Sequence, residues 1–239
     1  MKFTLTIFPR KIAILLTSFV SFLTISGVAV QISKYVYHYR ADWTRLFNLD
    51  REFNLSSWYS CLTLLFCALL LKIIADKKKY EADVFARKWK ILSTIFVLLA
   101  IDELLSIHEI LIIPDLAKIL NLPGFLRQIW VIPGAIIVII FLKKYYKFTI
   151  NLPKRTRFHF ISAAFMYIGG ALIMEMIGGA YSENNGQQNL IYALMTNVEE
   201  VLEMTGIIIF IYGLLYYLNK SKQQLQINVK FFEDPPNFS

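Results

Sequence analysis

Acidic residues stand where an apolar chain has least use for them. The segment Ala100–Ile113 reads AIDELLSIHEILII and carries Asp102, Glu103, His108 and Glu109 inside a run of non-polar residues. A second apolar run holds Glu175 in GGALIMEMIGG. A third holds Glu199, Glu200 and Glu203 in TNVEEVLEM. Carboxylates with at most one imidazole suit a hard or borderline divalent ion such as Mn, Fe, Zn, Mg or Ca. Crowded carboxylates also serve as proton-binding groups, because each raises the cost of ionising its neighbour. The candidate ligand set for a metal or for protons is therefore Asp102, Glu103, His108, Glu109, Glu175, Glu199, Glu200 and Glu203.

Helical spacing sorts these residues. Asp102, Ser106 and Glu109 fall within roughly 60° of arc on a regular helix, with Glu103 beside them and His108 about 120° away. Tyr192, Thr196, Glu199 and Glu203 share one face, which Glu200 borders. Ala171, Glu175 and Gly179 recur every fourth residue, a small–acidic–small row that admits a close neighbour helix. Glu200-x-x-Glu203 resembles half of a di-iron carboxylate pattern with Glu in place of His. The pair His108–Glu109 lacks the second histidine of a zincin. Walker, Rossmann and G-x-S-x-G motifs are absent from the sequence.

The elements that must position these groups are membrane helices. The 239-residue chain is 56% hydrophobic and 18% charged, and its apolar residues come in long runs. Six spans are expected: Ile12–Val36, Ser56–Ala75, Lys90–Ile112, Gly124–Leu142, Phe158–Ala180 and Asn189–Leu218. Pro123 fits the first helical position of the fourth span, and Pro133 is expected to kink it. The fold class is thus an all-α polytopic bundle of six transmembrane helices. It comprises a membrane domain over 1–220, with an outer interfacial segment at 37–55, and a cytoplasmic tail at 221–239. The first span is longer than the apolar core of a cleaved signal. Cys61 and Cys67 point to different sides of one helix, so no disulfide is expected between them.

The net charge of +8 lies in the inter-helix loops, notably Lys77–Lys90 and Lys143–Arg157. Lys and Arg so placed orient membrane helices and meet anionic lipid rather than nucleic acid. The positive-inside rule puts both termini in the cytoplasm and the carboxylates in the outer half of the bilayer. The aromatic outer loop, Tyr37–Ser57, is expected to form a short interfacial helix over Thr44–Phe53, with Asn54 or Ser56 capping the next span. Carboxylates exposed to lipid would cost on the order of 10–20 kcal/mol together, so they must face inward to protein, protons, cations or water.

The motifs IDELLSIHE, WVIPGA, EMIGGAY and EEVLEMTG, with NLDREFNLSSW upstream, resemble a family of small bacterial six-helix integral membrane proteins that carry an acidic intramembrane cluster. The likeness runs from about Leu46 to Tyr217. It implies a multi-pass protein of the bacterial inner membrane and transfers no catalytic roles. Alkaline ceramidase-like membrane hydrolases use several histidines at their metal, which this chain lacks.

Three functions fit these residues. The first is cation- or proton-coupled transport of a small molecule, for which a chain this short would form a homodimer. The second is a membrane-embedded metal-dependent enzyme acting on a lipid or quinone. The third is an assembly or stabilising subunit of a membrane complex.

Overall fold

Only a helix lets an isolated apolar segment satisfy every peptide group within itself, and the apolar runs of this chain take that form. The computed structural model describes residues 3–6, 8–39, 41–49, 51, 53–107, 119–220 and 226–229. In it α1 spans Pro9–Tyr35, α2 Leu55–Tyr80, α3 Ala86–Leu105, α4 Val131–Asn151, α5 Lys154–Ile168, α6 Glu175–Asn185 and α7 Leu190–Lys220. A π-helical segment, Gly169–Met174, joins α5 to α6 and makes one continuous 32-residue helix.

Among the described residues, four helices are long and apolar enough to cross a membrane: Pro9–Tyr35, Leu55–Tyr80, Lys154–Asn185 and Leu190–Asn219. α3 and α4 are apolar over most of their length and carry Lys or Arg at one end. Large apolar side chains point outward along the bundle, among them Ile14, Leu15, Leu62, Ile137 and Phe165. A water-soluble bundle turns polar faces outward; an outer surface of this kind suits lipid.

The last helix is the hub. α7 packs against α1, α2, α5, α6 and the π segment. One core gathers Leu64, Leu71, Ile74, Trp89, Ile211 and Leu214 between α2, α3 and α7. Trp89 lies edge-on to Phe148 at 4.9 Å between ring centres and packs on Tyr217 at 5.2 Å. Cys61 and Cys67 are both buried and free. At the basic end the Tyr145 hydroxyl and Lys88 Nζ tie α4 to α3, donating to the Lys88 and Lys144 carbonyls at 3.0 Å each.

Several boundaries differ from expectation. α2 runs on past Ala75 to Tyr80. The third helix does not reach Ile112: it stops at Leu105, because Ser106 adopts a left-handed conformation (φ 48°, ψ 44°) that ends an α-helix. Pro123 precedes a short 3-10 turn, Gly124–Leu126, and α4 begins only at Val131. Pro133 is therefore the third residue of α4, in the first turn, where its missing N–H has no intrahelical partner to lose. It does not kink the middle of the helix. The interfacial segment is a 3-10 helix over Asp42–Phe47 rather than an α-helix over Thr44–Phe53. Asn54 caps α2 as expected, accepting the Ser57 N–H at 2.8 Å. A two-stranded antiparallel ribbon, unforeseen in an all-helical reading, pairs Phe3–Thr6 (β1) with Gln226–Val229 (β2). It brings the two ends of the chain to the same end of the bundle. Residues 221–225 and 230–239 of the expected tail lie outside the described residues.

Candidate functional site

The site begins from a fixed helix start. Asn189 accepts the Tyr192 N–H on its side-chain oxygen at 2.9 Å, the bond of an N-cap. From that start Glu199 and Glu203 fall one turn apart on one face of α7. The π segment lies directly against them. A Cβ on Gly170 would sit 2.8 Å from the Glu199 carbonyl oxygen and 2.8 Å from Glu203 Cγ. Farther along, a Cβ on Gly206 would lie 2.8 Å from the Tyr167 nitrogen, and one on Gly213 would lie 2.9 Å from His159 Cβ. These glycines let α5 and α7 approach almost backbone to backbone, as small residues do between helices in lipid.

The π segment also sets where Glu175 points. A regular helix would align Glu175 with Ala171. The wider π turn pairs residues five apart, so the residue in line with Glu175 is Gly170, the one seated on α7. Gly170 and Gly179, on either side of Glu175, make the close contacts of this helix. At the far end a Cβ on Gly179 would lie 2.6 Å from the Gly124 carbonyl oxygen. The Gly124 N–H donates to Glu183 Oε2 at 3.2 Å, which holds the 3-10 turn on α6.

The carboxylates converge on this seam. Glu175 and Glu199 hydrogen-bond to each other, and Glu199 stands in the field of Glu203 and Glu200. Glu203 in turn feels Glu103 and Asp102 of α3, as well as Glu175. All six residues are half-buried. Two carboxyl groups cannot bond while both are ionised, since an ionised carboxylate only accepts. The Glu175–Glu199 contact therefore requires a proton on one of them, or a cation between them.

Asp102, Glu103, Glu175, Glu199, Glu200 and Glu203 are thus brought together from three helices. His108 and Glu109 lie outside the described residues. The expected face that joins Glu109 to Asp102 and Ser106 therefore falls partly outside them; α3 itself ends at Leu105. Among the described residues, no group of three or more His, Cys, Asp and Glu is set to hold a metal ion.

Two aromatic residues of the site have no counterpart in the sequence reading. Trp130, just ahead of α4, donates its indole N–H to Glu175 Oε1 at 3.4 Å. Tyr167 sits among Glu203, Glu103, Asp102 and Glu200. A regular helix would set Tyr167 and Glu175 about 80° apart; the π segment takes back about one residue of rotation and aligns them. The Gly169–Gly170 pair was the one signal in the sequence that this helix could leave α geometry.

Fold and site together define a helical bundle with helices of membrane length and a carboxylate seam around its central helix. The chain belongs to the family described as a domain of unknown function (DUF8692), which matches residues 7–218. No curated protein and no solved structure matches it.

Proposed function

We propose that this protein is a multi-pass protein of the bacterial inner membrane that moves a small solute coupled to protons or cations. α3 and α4 complete six crossings, with both termini and the basic turns in the cytoplasm and the carboxylate seam in the outer half. The observation that carries the reading is the hydrogen-bonded pair Glu175–Glu199 amid four further carboxylates. Such a pair takes up one positive charge and gives it back, which is what a coupling site must do. Ionisable groups inside a membrane mark ion and proton paths. Its position beside a glycine-lined seam supports the same role, because helices in near backbone contact shift as rigid units. Reconstitution in liposomes containing a pH-sensitive dye tests it. Proton or cation flux that is present in the native protein and abolished by Glu175→Gln, Glu199→Gln or Glu203→Gln is the expected result. Flux unaltered by all three substitutions refutes it.

A further inference from the structure

Helical spacing turns Asn197 of α7 away from Glu199 and Glu203, and α1 carries a second buried amide, Gln31. Gln31 is 0% exposed and Asn197 3% exposed. Gln31 donates through Nε2 to Asn48 Oδ1 at 2.6 Å. Its Oε1, together with both Oδ1 and Nδ2 of Asn197, has no hydrogen-bond partner among the described residues. An antiparallel register brings the two residues to the same level of α1 and α7. The terminal ribbon sets α1 and α7 antiparallel, and Val20 and Leu23 pack in one cluster with Ile208 and Met204. Two turns farther along both helices, Gln31 stands opposite Asn197. Glu200 follows Asn197 by three residues and borders the same face.

Leaving such atoms unbonded costs about 1–3 kcal/mol each, which favours a polar ligand or water beside them. Its chemistry is set by what lines the niche: neutral amide oxygens and one neighbouring carboxylate. Oxygen donors of this kind hold hard cations, and a single carboxylate balances a single charge. We infer that Gln31 Oε1 and Asn197 Oδ1 bind a partly hydrated alkali-metal cation between α1 and α7, with Glu200 supplying the balancing charge. A water of the ion's shell accepts from Asn197 Nδ2. This second site is separate from the Glu175–Glu199 pair and stands without it.

Thermal unfolding of the full-length protein in detergent tests the site, in sodium, potassium or N-methyl-D-glucamine chloride at constant ionic strength. The expected result is a saturable rise in Tm with sodium or potassium and none with N-methyl-D-glucamine. The rise disappears in Gln31→Leu and Asn197→Leu and survives in Glu199→Gln. Leucine removes the unsatisfied polar atoms of Asn197; at Gln31 it also takes the donor from Asn48 Oδ1 and lowers the starting Tm, so each variant's rise is read against its own cation-free value. If either leucine variant fails to fold, Asn197→Asp serves instead: the added carboxylate lowers the cation concentration at half-effect, and an unchanged value overturns the proposal. The absence of any cation-specific rise means that the niche holds water alone and overturns it as well. A rise that persists in both leucine variants does the same. A rise kept in the leucine variants but lost in Glu199→Gln assigns the ion to the carboxylate seam, which supports the transport reading and defeats this one.

Discussion

The indole nitrogen of Trp130 donates to Glu175 Oε1 across 3.4 Å, joining the start of α4 to the first residue of α6. One side chain thus reports directly on the occupancy of the carboxylate pair. An indole bonded to an ionised carboxylate emits differently from one beside a neutral acid, because the charge acts on the excited state. Tryptophan emission is expected to change with pH or cation concentration in the native protein. Trp130→Phe removes that change, although Trp43, Trp58 and Trp89 remain. Glu175→Gln also removes it, since its side chain does not titrate.

The seating of the π segment on α7 gives a paired prediction. A Cβ at Gly170 meets the Glu199 carbonyl oxygen and the Glu203 nitrogen, neither of which can move without shifting a helix. Gly170→Ala is expected to destabilise the bundle by about 1–3 kcal/mol, as overpacking does. Gly169→Ala meets nothing within 4 Å and is expected to be neutral or slightly stabilising, since alanine favours a helix over glycine. Detergent melting curves of the two variants, measured side by side, distinguish them.

The turn between α2 and α3 predicts an acid-sensitive contribution to stability. Lys78 reaches Glu81 at 2.9 Å and Asp83 at 3.1 Å. The hydrogen bond from Lys78 holds the Glu81 carboxyl below its usual range. Partial burial pushes Asp83 up, but the Phe85 amide and the Lys78 ammonium outweigh it and leave its carboxyl below the usual range too. A carboxyl group whose folded value is depressed stabilises the fold fully above its unfolded value, about 4. That stability is lost as pH falls through the folded value, because the unfolded chain takes up protons first. Tm is therefore expected to fall below about pH 4, and Lys78→Met should make this part of the decline shallower.

Asn54 anchors the segment before α2 to that helix. Its side-chain oxygen accepts from the Ser57 N–H and from the Ser56 and Ser57 hydroxyls, while its nitrogen donates to the Asn48 carbonyl. Asn54→Ala removes the cap and leaves buried groups unpaired. A loss of about 1–2 kcal/mol is expected, measured by chemical or thermal unfolding. Asn54→Asp keeps the accepting oxygen and is expected to recover part of the loss.

Apolar run length alone determined the membrane-length helices, because only a helix satisfies the backbone of a 20-residue non-polar stretch in lipid. The Asn54 cap was legible for a similarly local reason. The terminal ribbon, which pairs Phe3–Thr6 with Gln226–Val229, had no signal in the apolar pattern. Helix ends set by a backbone conformation were not legible. Nothing in the apolar pattern marks Ser106 as left-handed, or Val131 rather than Gly124 as the true start of α4.

What only the tertiary structure decided is rotation and partnership. The sequence places Glu175 on a helix, but its face depends on the π segment, and that departure from α geometry accompanies the contact of Gly170 with α7. A change of one residue in winding turns a side chain by about 100°, enough to separate a carboxylate from its partner. Trp130 and Tyr167 join the site for the same reason. The acidic residues announced themselves by type, whereas their hydrogen-bonding neighbours became visible only once three helices were packed around α7.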